Sequence, residues 1–229
     1  MIPQELKNKI PIYALCVEKT KESMNFKEKL VYKFFKRFFD ILFSLVALFL
    51  VGWIMLIIGL VVKCQDGGPI FYASFRVTTN GAIFKMYKFR TMIVGADSQL
   101  SSLEKDNETR GPTFKMKNDP RITKFGRFLR KTSLDELPQF FNVLNGAMSF
   151  VGPRPPLPRE VDKYSPDQYS RLLVKQGLTC IWQVSGRSLT TFAEQVTMDK
   201  EYVKKRGLFF DFWLLLKTIP AVLFQKGAE

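Results

Sequence analysis

Apolar residues change their spacing several times along the chain, and each change marks an element. In FKEKLVYKFFKRFFD, Phe26, Leu30, Phe34 and Phe38 recur at every fourth residue, with Lys27, Lys29, Lys33, Lys36 and Arg37 between them. That period predicts a basic, aromatic helix suited to an anionic lipid surface, or a solvated helix beside a membrane. Residues 41–62, ILFSLVALFLVGWIMLIIGLVV, then run for 22 positions without a charge. As a helix they would measure about 33 Å, enough for a hydrocarbon core of about 30 Å. A membrane-embedded helix is expected here. Residues 1–25 are polar and mixed in charge, which predicts a loosely ordered lead-in, and the opening MIPQELKNKI has no apolar core of the secretory kind behind it.

Two topologies fit the apolar run. Basic residues flank it on both sides, Lys33, Lys36 and Arg37 before and Lys63, Arg76, Lys85, Lys88 and Arg90 after, so the positive-inside rule selects no single orientation. Gly52-Trp53 falls at the midpoint, where Gly permits a bend and Trp favours an interface. A helix that breaks there and returns to its own face fits both observations; a spanning helix stays open.

Farther on, DGGP reads as a turn, and IFYASFRV and AIFKMYKFRTM flank Thr78–Gly81 (TTNG). Asn-Gly between two aromatic, β-branched runs predicts a β-hairpin. Residues 95–113 are polar and predict at most a short helix, and DPRITKFGRFLRK predicts a turn and then a basic helix. GLFFDFWLLLKTIPAVLF, residues 207–224, is apolar on most faces, either a second membrane-contacting helix or a core helix.

Charge and composition narrow the chemistry. Lys and Arg number 35 against 21 Asp and Glu, a net +14, which asks for an anionic partner: nucleic acid, anionic lipid or a phosphorylated substrate. No helix-turn-helix, RNP or zinc pattern supports nucleic acid. Histidine is absent, so a His triad, a His-ligated metal and an imidazole base are all excluded. Three scattered cysteines suit a reducing compartment. There is no P-loop and no dinucleotide fingerprint.

One acid pair stands out. SLDELPQ places Asp135 and Glu136 after a stretch, 115–131, with seven bases (Lys115, Lys117, Arg121, Lys124, Arg127, Arg130, Lys131) and one acid, Asp119. Two helix starts compete there: Ser133 with Glu136 makes a capping-box pattern, and Pro138 suits the first turn of a helix beginning beside it. A capping box on a charged face explains the pair without function. A diphosphate site explains it with function: cations clamp phosphate oxygens, a divalent ion bridges phosphate and carboxylate, and a carboxylate attacks phosphorus.

KFRTM (88–92), NETRGPTFKMKNDPRITKFGRFLRKTSLDELPQFFNVLNGAMSFVGPRP (107–155) and GLTCIWQVSGRS (177–188) together resemble the bacterial sugar transferases, the monotopic phosphoglycosyl transferases that prime capsule and exopolysaccharide assembly. The resemblance covers roughly residues 33–224. It implies transfer of a sugar 1-phosphate from a UDP-sugar to polyprenyl (undecaprenyl) phosphate, with release of UMP, on the cytoplasmic face of a bacterial plasma membrane. It implies that Asp135 is the nucleophile, forming an aspartyl-phosphosugar, and that Glu136 assists with Mg²⁺ and phosphate, so that both are metal ligands. Lys88, Arg130 and Arg154 become phosphate or nucleotide contacts, and Asp199 of MDKEYV a further site residue, although a plain surface acid fits Asp199 too. The Ser-Pro found in many members at the middle of the apolar helix is here Gly52-Trp53; the resemblance favours the re-entrant topology. The expected fold is α+β: a mainly helical, membrane-associated domain with a small β-hairpin, one re-entrant or spanning helix and amphipathic interfacial helices. Its expected parts are a lead-in (1–32), a basic and membrane-embedded segment (33–66) and the transferase domain (67–229). Anionic lipids are expected partners, nucleic acid is not, and a homo-oligomer is left open. The rival reading is a non-catalytic basic membrane adaptor.

Overall fold

The computed structural model describes residues 1–27, 29–103, 105, 108, 116, 118–186 and 189–223, with the side chains of 222 and 223 excepted. Lys115, Lys117 and residues 109–113 therefore lie outside the described residues. The elements run α1 (Gln4–Ser23), α2 (Leu30–Asp66), β1 (Phe71–Val77), β2 (Ile83–Phe89), α3 (Leu100–Leu103), α4 (Lys124–Thr132), α5 (Gln139–Leu144), β3 (Ser149–Val151), α6 (Pro158–Val161), β4 (Gly177–Thr179), α7 (Ile181–Ser185), α8 (Phe192–Lys205) and α9 (Leu208–Leu223). The expected α+β class, mainly helical with a small hairpin, is what these elements form.

The lead-in is not loosely ordered. Leu6, Ile10, Tyr13, Val17 and Thr20 fall on one face of α1, and Tyr13 and Val17 are buried in a core with Val77, Ile83, Tyr169 and Leu172. The Tyr13 hydroxyl donates to Asp162 Oδ1 at 2.6 Å. Charges between the apolar positions, and Pro11 inside the helix, blurred the 3.6-residue period. Tertiary packing supplies what local propensity lacks.

The basic aromatic stretch and the apolar run form one helix, not two. α2 has 37 residues, about 55 Å at ~1.5 Å per residue. It continues without interruption through Gly52 and Trp53, because neither residue removes a backbone N–H or clashes with the preceding turn as Pro would. Its buried positions are Asp40, Ser44, Met55, Ile58, Gly59 and Val62. Near its start, Asp40 accepts from Ser149 Oγ and Phe150 N; near its end, Met55, Ile58 and Val62 pack with Phe89 and Leu129. Much of its remaining apolar surface is bare: Phe49 is 86% exposed and Leu56 77%. Helix α9 divides likewise, with Leu214 buried and Phe209, Phe212, Leu216 and Ile219 exposed. Of the segment read as 207–224, the described part thus has one core face and one bare apolar face. So much bare apolar surface on two helices marks a membrane-contacting protein.

The hairpin forms where Asn-Gly placed it. Strand β1 pairs antiparallel with β2, from Phe71 opposite Phe89 to Val77 opposite Ile83. Asn80 (φ 58°) and Gly81 (φ 75°) supply the left-handed turn. A second, parallel pair joins Ser149 to Gly177 and Val151 to Thr179. Thr123 caps α4 by accepting from Gly126 N at 2.9 Å. A Cβ on Gly126 would stand 2.0 Å from the Thr91 carbonyl oxygen, so only glycine lets α4 lie against the KFRTM stretch.

Candidate active site

The competition within SLDELPQ resolves in favour of the helix beginning beside Pro138. Helix α4 ends at Ser133 in the left-handed region (φ 59°), and Leu134–Glu136 make one tight 3₁₀ turn. Pro138 then caps α5. Ser133 caps nothing with its side chain. The turn sends Leu134 and Leu137 into the cluster of Phe89, Leu129, Met55 and Ile58. Asp135 and Glu136 meet Lys88 instead: its Nζ lies 2.7 Å from Glu136 Oε1 and 3.3 Å from Asp135 Oδ2.

Each residue of KFRTM has a separate task. Lys88 holds the acid pair, and Phe89 fills the apolar cluster behind it. Arg90 forms a fork with Asp66 at the end of α2. Thr91 Oγ1 accepts from Arg130 Nε at 2.9 Å, and Met92 bridges to Ile122. One strand end therefore ties the membrane helix, α4 and the acid pair together.

Arg154, just beyond β3, reaches Glu136 Oε1 at 3.5 Å. Arg130 stands in the field of Asp135. Of the expected basic cluster only Arg130 serves the pair among the described residues: Lys124, Arg127 and Lys131 are exposed along α4, and Arg121 is locked to Asp119. The effective cations come from three separate stretches of chain.

A fourth cation escaped the sequence reading. Arg76 of β1 donates to the Pro155 carbonyl at 3.0 Å and shares the fields of Arg154 and Glu136. Burial, then Arg154 beside it, lowers its guanidinium to about 10. The register could have found it, because the pairs Arg76–Phe84 and Tyr72–Lys88 put Arg76 and Lys88 on one face of the hairpin.

Asp199 is not brought to the acid pair. It is fully buried on α8, accepting from Arg171 Nε at 2.7 Å, while Arg171 also donates to the Tyr164 hydroxyl at 2.9 Å. Burial raises its carboxyl to about 6 against the pull of Arg171. Cys180, also buried, lies in the fields of both Asp199 and Arg154, an indirect link to the site. The surface-acid reading of Asp199 fails, because the side chain is buried.

The two neighbouring carboxylates are driven apart. Burial raises Asp135, with Lys88 opposing and the adjacent Glu136 charge adding to the rise. Burial also acts upward on Glu136, but Lys88 and Arg154 outweigh it and take that carboxyl down to about 2. Glu136 is the fixed anion and Asp135 the more basic, hence more nucleophilic, carboxylate. The consequences for stability have opposite signs. Glu136 contributes stability that is complete above its unfolded value near 4.5 and is lost as pH falls through about 2. Ionised Asp135 destabilises the fold at neutral pH, a cost relieved as pH falls through its raised value. At pH 7 Asp135→Asn should therefore melt at or above the parent temperature. Glu136→Gln, which leaves Lys88 and Arg154 without their shared anion, should lose about 1.5–3 kcal/mol, roughly 3–12 °C. Thermal melts of the detergent-solubilised variants decide the point, and the reverse order contradicts it.

Residues 31–225 match the family model described as bacterial sugar transferase. The chain is 44% identical over 195 residues to galactosyl transferase CpsE of Streptococcus agalactiae, covering 85% of this chain and 43% of the relative. It is 44% identical over 207 residues to the undecaprenyl-phosphate galactose phosphotransferase of Salmonella typhimurium, covering 86% and 42%. Against the exopolysaccharide production protein ExoY of Rhizobium meliloti it is 43% identical over 197 residues, covering 84% and 87%. The chain thus spans less than half the length of two of these relatives and most of the third. With the matched region reaching from α2 through the acid pair to α9, the chain belongs to the bacterial sugar transferase family.

Proposed function

We propose that this chain transfers a sugar 1-phosphate from a UDP-sugar to polyprenyl phosphate through a covalent intermediate on Asp135. The observation that carries the reading is the split acid pair: a buried, raised Asp135 beside a depressed Glu136, both held by Lys88. The Salmonella relative, an undecaprenyl-phosphate galactose phosphotransferase, supports the same reaction class.

Asp135 attacks the phosphorus that bears the sugar. The bond to the bridging oxygen breaks, its electron pair leaves with UMP, and an acyl phosphate joins Asp135 to the sugar. An oxygen of polyprenyl phosphate then attacks the same phosphorus, the carboxylate departs, and the lipid diphosphate sugar is complete. Lys88, Arg130, Arg154 and Arg76 would neutralise the diphosphate, without which an anion could not approach it. Glu136 keeps Lys88 and Arg154 in place between turnovers. The donor set suits Mg²⁺, a hard ion that takes one or two carboxylates and completes its shell with water and substrate phosphates. Asp135 and Glu136 would hold it, and when bound it would supply charge neutralisation on the phosphates. Among the described residues no group of three acidic or sulfur ligands competes for that role.

Purified protein given a panel of UDP-sugars, UDP-galactose included, with polyprenyl phosphate and Mg²⁺ should release UMP. Asp135→Asn should lower the rate by a factor of 10³ or more. UMP release by the variant at the parent rate would contradict the role of Asp135, and no release with any sugar would contradict the reaction.

Attachment to the membrane is one-sided in this proposal. The contacts of α2 near its start (Ser149, Phe150) and at its end (Arg90) belong to one folded body, which a bilayer crossed between them would divide. Helix α1, before α2, also packs on that body. In right-side-out and inverted vesicles, a cysteine placed at the exposed Lys7 should react with a membrane-impermeant maleimide from the same face as the exposed Cys64. Labelling from opposite faces contradicts the proposal.

A further inference from the structure

The stretch from Asp135 to Arg154 leaves the site and comes back to it. It runs out along α5, bends at residues 145–148 and returns along β3, and the 3.5 Å contact of Arg154 with Glu136 closes the loop. The bend is held by the membrane helix. Arg37 of α2 donates from Nη1 to the Val143 carbonyl and from Nη2 to the Leu144 carbonyl, both at 2.7 Å. The Val143 carbonyl also accepts from Gly146 N at 3.0 Å as α5 ends; the guanidinium adds a second donor there, takes the Leu144 carbonyl as well, and complements the negative end of the dipole. Gly146 (φ 84°) lies beneath, and a Cβ there would stand 3.4 Å from Arg37 Cζ.

One turn along α2, buried Asp40 takes the other arm. Its Oδ1 accepts from Ser149 Oγ at 2.9 Å and from Phe150 N at 3.0 Å, at the first two residues of β3. Lys175, in the field of both Arg37 and Asp40, donates to the Gly146 carbonyl at 2.5 Å and pins the bend from the far side. Arg37 was expected to face lipid headgroups. Instead it faces inward, on the same side of α2 as Asp40.

We propose that Arg37 and Asp40 are positioning residues that set the Asp135–Arg154 geometry, so that the membrane helix is part of the catalytic architecture and not an anchor alone. The helix grips the end of the arm that carries the nucleophile and the start of the arm that carries Arg154. Releasing the bend loosens closure at Glu136 and slows the chemistry, while the cations that bind the donor from β1, β2 and α4 stay in place. Loss should fall on kcat and leave KM for the UDP-sugar nearly unchanged.

This inference rests on the proposed phosphoglycosyl transfer, and the test separates the two. The full chain in lipid nanodiscs is assayed for UMP release as wild type, Arg37→Gln, Arg37→Lys, Asp40→Leu, Arg154→Lys and the double variant Arg37→Gln/Arg154→Lys. An inactive wild type defeats the reaction. With an active wild type, Arg37→Gln and Asp40→Leu, which has no acceptor for Ser149 Oγ and Phe150 N, should lose tenfold or more in kcat with KM within twofold, and Arg37→Lys should recover part of the loss. The double variant should lose no more than about the larger single loss, because both changes open the same closure. A kcat within twofold of wild type, a loss carried by KM, or single losses that multiply in the double variant would each overturn the positioning role. A readout independent of turnover uses hydrogen exchange. In Asp40→Leu, amides of 139–154 should lose tenfold or more in protection while those of α8 keep theirs; unchanged protection at 139–154, or equal loss in both, would overturn it.

Discussion

Lys88 is the constraint on which the site depends. Two adjacent carboxylates, one of them almost wholly buried, would repel and drive each other toward protonation if nothing lay between them. One ammonium within 3.3 Å of both changes the outcome. Arg154 adds its charge more strongly on the Glu136 side, so the field is lopsided: Glu136 is fixed as an anion and Asp135 keeps the higher proton affinity.

Holding that lysine takes structure from distant parts of the chain. Phe89, its neighbour, is buried against α2 and α4, and Arg90 is forked by Asp66 at the end of the membrane helix. Gly126 lets α4 approach close enough for Arg130 to reach Thr91. The polar start of α2 grips the bend between the two catalytic arms, and its apolar half supports the strand that carries Lys88. A second polar junction, in which Lys36, Tyr32 and Tyr202 converge on Asp211, fastens α2 to α8 and α9. Membrane-facing and catalytic parts share their buried contacts, so neither is a separable module.

The candidate site was legible in the sequence because it lies in short, dense stretches: KFRTM, DELPQ and GPRP each keep their charged residues within a few positions. The hairpin was legible because Asn-Gly has a backbone preference of its own. What stayed hidden depended on packing across distance. Helix α1 carries too many charges for its period to stand out until Tyr13 and Val17 meet the hairpin and the 166–172 turn. Strands β3 and β4 are three residues each, too short for any alternation to register. Arg76 needed the hairpin register before it could be set beside Lys88, and Asp199 needed Arg171, from 28 residues away, to appear as a buried pair. The basic cluster before SLDELPQ misled: among its described residues Lys124, Arg127 and Lys131 lie on the outer face of α4 and Arg121 pairs with Asp119, which leaves Arg130 for the site.

The central claim is that Lys88 and Arg154 split one acid pair into a fixed anion and a more basic nucleophile. Carbon-13 NMR of protein labelled at the Asp and Glu side-chain carboxyls, titrated in detergent and assigned with Asp135→Asn and Glu136→Gln, tests it directly. Asp135 should titrate above the ordinary aspartate range and Glu136 near 2, and Lys88→Met should raise both. Ordinary titration of both carboxyls, or an Asp135 that loses its proton before Glu136, would contradict the account.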